Sequence, residues 1–114
     1  MNFEGIIKRL EEKGLPVAHN EFVATSKNPI PSPPFFVWLA KETQRGGDTK
    51  NFLREINAAI ELYTERRPDA ELERWMETEV LRDVEFERFQ TLIPDENIVQ
   101  TAYQFTILQK IKEA

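Results

Sequence analysis

Four of the chain's seven prolines fall within six residues, at Pro29, Pro31, Pro33 and Pro34. Nothing else in the sequence limits the fold as much. Proline removes a backbone donor and fixes φ, so this stretch can be neither a helix nor a central strand. Tandem prolines favour a stiff extended path. Residues 20–34 therefore read as a loop that divides the chain, either a simple connection or an arm that reaches a neighbouring subunit.

On either side of that loop the apolar residues are periodic. Before it, Phe3, Ile6, Ile7 and Leu10 share one helical face, with Asn2 placed to cap and Gly14 to stop the helix. Residues 15–18, Leu-Pro-Val-Ala, read as a short extended piece. After the loop, Phe35–Ala40 is an unbroken apolar run that suits a strand buried on both faces. Residues 41–50 are polar around Gly46-Gly47-Asp48, which fits the long tip of a hairpin. Residues 52–65 carry two patterns. Ile56, Ala58, Ile60 and Leu62 alternate as in a strand, while Leu53, Ile56, Ile60 and Tyr63 suit a helix. The Gly-Gly tip makes a strand the simpler choice. Pro68 and Asp69 then open a second helix with Leu72, Trp75, Met76 and Val80 inward. Two further strands follow around a Pro94-Asp95-Glu96-Asn97 turn.

These periods predict helices over about 3–13 and 69–81, and strands over about 35–40, 52–64, 84–92 and 98–109. The expected fold is one α+β domain over residues 1–114. It is a two-layer sandwich in the order α-β-β-α-β-β, with a four-stranded, mainly antiparallel sheet and two helices on one face. Residues 110–114 are expected to fray.

Composition narrows the chemistry. The 114 residues carry a net charge of −5, which argues against a sequence-specific nucleic-acid binder. There is no cysteine and only one histidine, His19. That removes thiolate chemistry and the usual zinc sets, and leaves a lone histidine that suits a hydrogen-bonded structural role. Gly46-Gly47 lacks the spacing that cradles phosphates. The pairs Glu11-Glu12, Glu71/Glu73 and Glu77/Glu79 lie among Arg and Lys and read as solvated helix faces. No stretch is long and apolar enough to span a membrane, and the first residues lack a signal-peptide pattern. The expectation is a protein with no enzymatic activity, no cofactor and no metal, made and kept in water. Its candidate contact residues are the cations of the hairpin tip, Lys41, Arg45 and Lys50, together with Arg66 and Arg67 beside Pro68.

Several short motifs in order carry a resemblance. They are Gly14-Leu15-Pro16-Val17, Pro33-Pro34-Phe35, Glu61-Leu62-Tyr63-Thr64, Arg66-Arg67-Pro68 and Tyr103-Gln104-Phe105. Over nearly the whole chain the sequence resembles the tail terminator, or tail-to-head joining, proteins of long-tailed bacteriophages. It departs from them at Ala58-Ala59, where that family's strand is bulkier. The resemblance implies a viral structural protein made in the bacterial host cytoplasm and placed in the virion at the head–tail interface. It implies a homo-oligomer, commonly a hexameric ring, that closes the tail tube and meets a head completion or connector protein. The competing expectation is a small acidic adaptor or regulator that binds a host or phage protein.

Overall fold

A computed structural model describes residues 2–25, 29–45 and 52–111. Helix α1 spans Phe3–Glu11, with the Asn2 side chain accepting from the Glu4 amide at 2.8 Å. Gly14 follows at φ +82°, a left-handed position that glycine adopts without strain. The chain then enters β1, Val17–His19, and crosses the proline loop to β2, Phe35–Arg45. Strand β3 spans Phe52–Glu65. Helix α2, Ala70–Trp75, is capped by Asp69, whose carboxylate accepts from the Leu72 amide at 3.1 Å. It widens into a π turn over Met76–Val80, closed by the Leu81 amide donating to the Met76 carbonyl at 2.9 Å. Strands β4, Phe86–Ile93, and β5, Ile98–Ile111, complete the chain.

The fold class is α+β as expected, but the sheet has five strands in the order β1-β2-β3-β5-β4. The four-stranded expectation, and with it the order α-β-β-α-β-β, is corrected by β1. Val17, Ala18 and His19 pair in parallel with Phe36, Val37 and Trp38. The sequence reads residues 15–18 as a short extended piece, but three residues are too few to show an alternation that would count it as a strand of the sheet. The proline loop also explains the parallel sense, because parallel neighbours require a long crossover rather than a tight turn. The other three pairings are antiparallel, with β3 and β5 in register from Phe52↔Ile111 to Glu65↔Ile98. Residues 52–65 are thus strand, as the Gly-Gly argument holds. Residues 41–45, expected in the tip, extend β2 instead, with Lys41 opposite Asn57 and Arg45 opposite Leu53. Glycines 46 and 47 and Lys50 lie outside the described residues. Lys110 and Ile111, expected to fray, belong to β5, and residues 112–114 lie outside the described set.

Period-2 alternation assigns the sheet's two faces. Phe36, Ile56, Ile60, Leu62, Tyr103 and Phe105 point to the helix side, where they meet Phe3, Ile6 and Leu10 of α1 and Leu72, Met76 and Val80 of the second helix. Each such side chain contributes about 2 kcal/mol through removal from water. Phe3 packs edge-on against Trp38 at 5.4 Å, and its amide donates to the Gln109 side chain at 3.1 Å. Arg9 of α1 reaches across to Asp83 at 2.9 Å and to the Val80 carbonyl at 3.1 Å, tying the two helical segments together. That contact holds the Asp83 carboxyl below its ordinary range. Among the described residues no helix is long and apolar enough to cross a membrane.

Candidate interaction surface

Among the described residues the second face of the sheet has no helix layer, and its two ends differ. At the end nearer the proline loop, Phe35, Val37 and Tyr63 are covered. The Phe22 ring stands edge-on against Phe35 at 5.0 Å, and Phe35 stacks on Tyr63 at 5.1 Å. The described part of the loop thus lies on its own sheet. Phe35, Phe36 and Val37 are buried from both sides as the apolar run suggested, but the covering ends at Leu39, which is exposed. Tyr63 donates its hydroxyl to Glu61 and accepts from Gln100, both at 2.9 Å. Burial first, then the Glu61 contact, push this phenol up to about 12.

At the other end the face is bare. Leu53 and Leu108 are 38% and 59% exposed there, and Leu39, 36% exposed, lies opposite Ala59, roughly 20 Å along the strand from Leu53 at ~3.3 Å per residue; all three project from the open side. Between the two ends lies a shallow depression of about 690 Å³, lined in part by Leu39, Lys41, Asn57, Ala59, Gln104 and Thr106. Register explains it: Ala59 sits between Leu39 and Gln104, and the small side chain leaves the floor low. Asn57 accepts from the Thr106 hydroxyl at 2.7 Å beside it. Among the described side chains the surface therefore combines exposed leucines, amides that can donate or accept, Lys41, and the carboxylates of Glu85 and Glu87.

Of the expected contact residues, Lys41 lies on this surface beside Asn57. Arg45 closes β2 near Leu53. Arg66 and Arg67 are exposed in the turn after β3, roughly 30 Å along the strand from Asn57 at ~3.3 Å per residue. The structure thus does not bring Lys41 together with Arg66 and Arg67, and Lys50 lies outside the described residues. Arg66 holds φ +69°, and its amide donates to the Asn97 carbonyl at 2.8 Å. The Arg67 carbonyl accepts from Thr64 at 2.9 Å. The Arg66 backbone braces the turn against the β4–β5 connection and the Arg67 backbone closes it locally, while both side chains are exposed.

A polar network on the helix side was not legible in the sequence. Glu73, read as part of a solvated face, is buried at 6% exposure. Its carboxylate pairs with Arg88 and accepts from Gln90 at 3.2 Å, and Gln90 also donates to the Thr101 hydroxyl at 2.9 Å. Glu77 accepts from the Tyr103 hydroxyl at 3.0 Å. Burial first, then Glu77, raise the Tyr103 phenol above its ordinary value. The network pins α2 to β4 and β5, and no buried side-chain polar atom among the described residues lacks a partner. The only possible clue was Arg88 and Gln90 at every second residue of β4, on the same face as Thr101. His19, for its part, is exposed and lies flat on Trp38, with ring centroids 3.8 Å apart.

Both tyrosines of the chain have raised values, which gives a direct test. A raised folded-state value favours the neutral phenol in the native protein. That stability is complete below about pH 10, where unfolded tyrosine ionises, and is lost as the pH rises through the folded values. At about pH 10.5 the native protein is expected to show little tyrosinate absorbance, and the denatured chain a majority. Half-ionised tyrosine in the native protein at that pH would contradict both hydrogen-bonded placements.

No protein-family model matches the chain, and the comparison with curated proteins finds no match. Among the described residues no group of three or more acidic or histidine side chains is arranged to hold a metal ion.

Proposed function

We propose that this chain is a structural subunit that works by assembling with other subunits, and that the assembly is the ring closing a bacteriophage tail tube where it joins the head. The observation that carries the assembly part is the open sheet face, which leaves Leu39 exposed at a polar depression and Leu53 and Leu108 exposed further along the same face. A sheet face that keeps several large apolar side chains in water without a covering layer is suited to a partner that covers it. The ordered motifs shared with tail terminator proteins supply the ring and its partners: the tube protein on one side and a connector protein on the other. Lys41 at the rim of the patch is suited to a carboxylate on the adjoining subunit.

The test combines Leu53→Asp with Leu108→Asp. Both side chains already meet solvent, so the variant is expected to fold, with a loss of about 1–2 kcal/mol that includes the new carboxylate at position 108 facing Glu55 across the ladder. Phage dependent on the variant are expected to make overlong tails or tails without heads, as seen by electron microscopy. Tails of normal length joined to heads, from a folded variant, would reject the patch as the ring contact. Normal virions from phage lacking the chain altogether would reject the tail reading itself.

A further inference from the structure

Strand β4 is an edge, and it lacks the usual protection. Its inner side pairs with β5 over all eight residues, from Phe86↔Phe105 to Ile93↔Ile98. Among the described residues its outer side has no neighbouring strand in the sheet order. Soluble proteins shield such edges with proline, lysine, a bulge or a covering loop. The sequence Phe86-Glu-Arg-Phe-Gln-Thr-Leu-Ile93 contains no proline and no lysine, and its ladder with β5 is continuous. Phe89 and Leu92 are 50% and 55% exposed. The one cation, Arg88, is drawn back toward α2 by Glu73 and Glu77, which leaves Glu87 as the strand's free charge.

We infer that the β4 edge is a self-pairing strand, whose partner is β4 of a second copy of this chain, antiparallel and centred on Phe89. The choice of register follows from the sequence. In an antiparallel pair that continues the sheet, opposed residues share a face. Centring on Phe89 sets Phe89 against itself and Glu87 against Thr91 on the open face. On the helix face it sets Arg88 against Gln90 and Phe86 against Leu92. Aromatic meets aromatic, apolar meets apolar, and each charge meets a neutral hydrogen-bonding group. The neighbouring registers fail. Centring on Arg88 opposes two arginines and sets Glu87 against Phe89; centring on Gln90 sets Arg88 against Leu92 and Glu87 against Ile93. Like charges directly opposed are destabilising. The favoured register gives a ten-stranded sheet across a two-fold axis, with roughly six to eight new main-chain hydrogen bonds. A two-fold contact closes on itself and leaves the leucine patch at the other end of the sheet free, so this inference goes beyond the tail reading and does not depend on it.

The chain has no cysteine, so an introduced thiol reports register directly. Phe89→Cys is expected to form a disulfide-linked dimer under mild oxidation, on the order of a hundredfold faster than Glu71→Cys on the exposed side of α2. Thr91→Cys alone is expected to link slowly, and rapidly once mixed with Glu87→Cys. Without cysteine, Phe89→Lys and Phe89→Glu should each be monomeric by light scattering and should form a dimer when mixed. Rates at Phe89→Cys equal to those at Glu71→Cys, or a parent chain monomeric at every concentration, would overturn the inference. Rapid linking of Thr91→Cys to itself would overturn the register. The double aspartate variant at Leu53 and Leu108 should still link through Phe89→Cys, which separates failure of the ring contact from failure of this one.

Discussion

Truncating Ile60 to Ala is expected to cost about 3–4 kcal/mol, the usual range for a fully buried β-branched residue that leaves a cavity. Ile60 has no exposed surface. It lies in the third of five strands, opposite Trp38 on one side and Tyr103 on the other. Both neighbours are held by further contacts, Trp38 by Phe3 and His19 and Tyr103 by Phe86 and Glu77. They cannot easily collapse into the space. A domain of this size has about 5–15 kcal/mol in total, so the loss is a large share and should lower the melting temperature by roughly 10–20 °C. The adjoining Ala59 projects from the opposite face, and Ala59→Ser is expected to change stability by less than about 1 kcal/mol. Melting curves followed by circular dichroism compare the two. Equal losses would mean that the alternation of β3 is misassigned.

The second large effect is expected at Arg88. Replacing it with Met leaves the Glu73 carboxylate, whose side chain is 8% exposed, without its cation. Breaking a buried pair from one side costs about 3–5 kcal/mol. Gln90 still donates to Glu73, and Arg88 is itself 41% exposed, so a loss of about 2–3 kcal/mol is expected here. Replacing both partners, Glu73→Leu with Arg88→Met, should recover most of that loss, because the stranded charge is gone. Denaturant unfolding of the four proteins gives the coupling energy directly. Additive losses, or no loss on Arg88→Met, would show that the pair does not hold α2 to β4.

Much of the fold was written in periodicity. Ile56, Ala58, Ile60 and Leu62 alternate cleanly because β3 has one helix-covered face, and Phe3, Ile6 and Leu10 repeat at helical spacing for the same reason. Asn2 and Asp69 were readable as caps because capping depends on local chemistry. What escaped was non-local. Residues 15–18 read as extended, but their pairing as β1 is set by where the proline loop returns the chain. The burial of Glu73 depends on Arg88 and Gln90 arriving from β4, so the helix alone reads as solvated. The extension of β2 through Lys41–Arg45 is polar and has no alternation of its own; it is held by the ladder to β3. For the candidate surface, sequence reasoning looked for cations, whereas the bare leucines could be recognised only once the sheet showed which face had no cover.

The strand order also governs timing during synthesis. Strand β5 is made after all the others, yet it sits between β3 and β4. The β2–β3 hairpin can form as soon as it leaves the ribosome. Strand β4 then emerges with no neighbour to pair with, and β3 keeps one edge open until residues 98–111 arrive. Until then the nascent chain presents two adhesive edges, at the moment when many copies grow side by side on one message. The insertion of β5 closes the β3 edge and gives β4 its first partner in a single step. Substitutions that slow this insertion should therefore lower the yield of soluble protein more than they lower the stability of the molecules that finish.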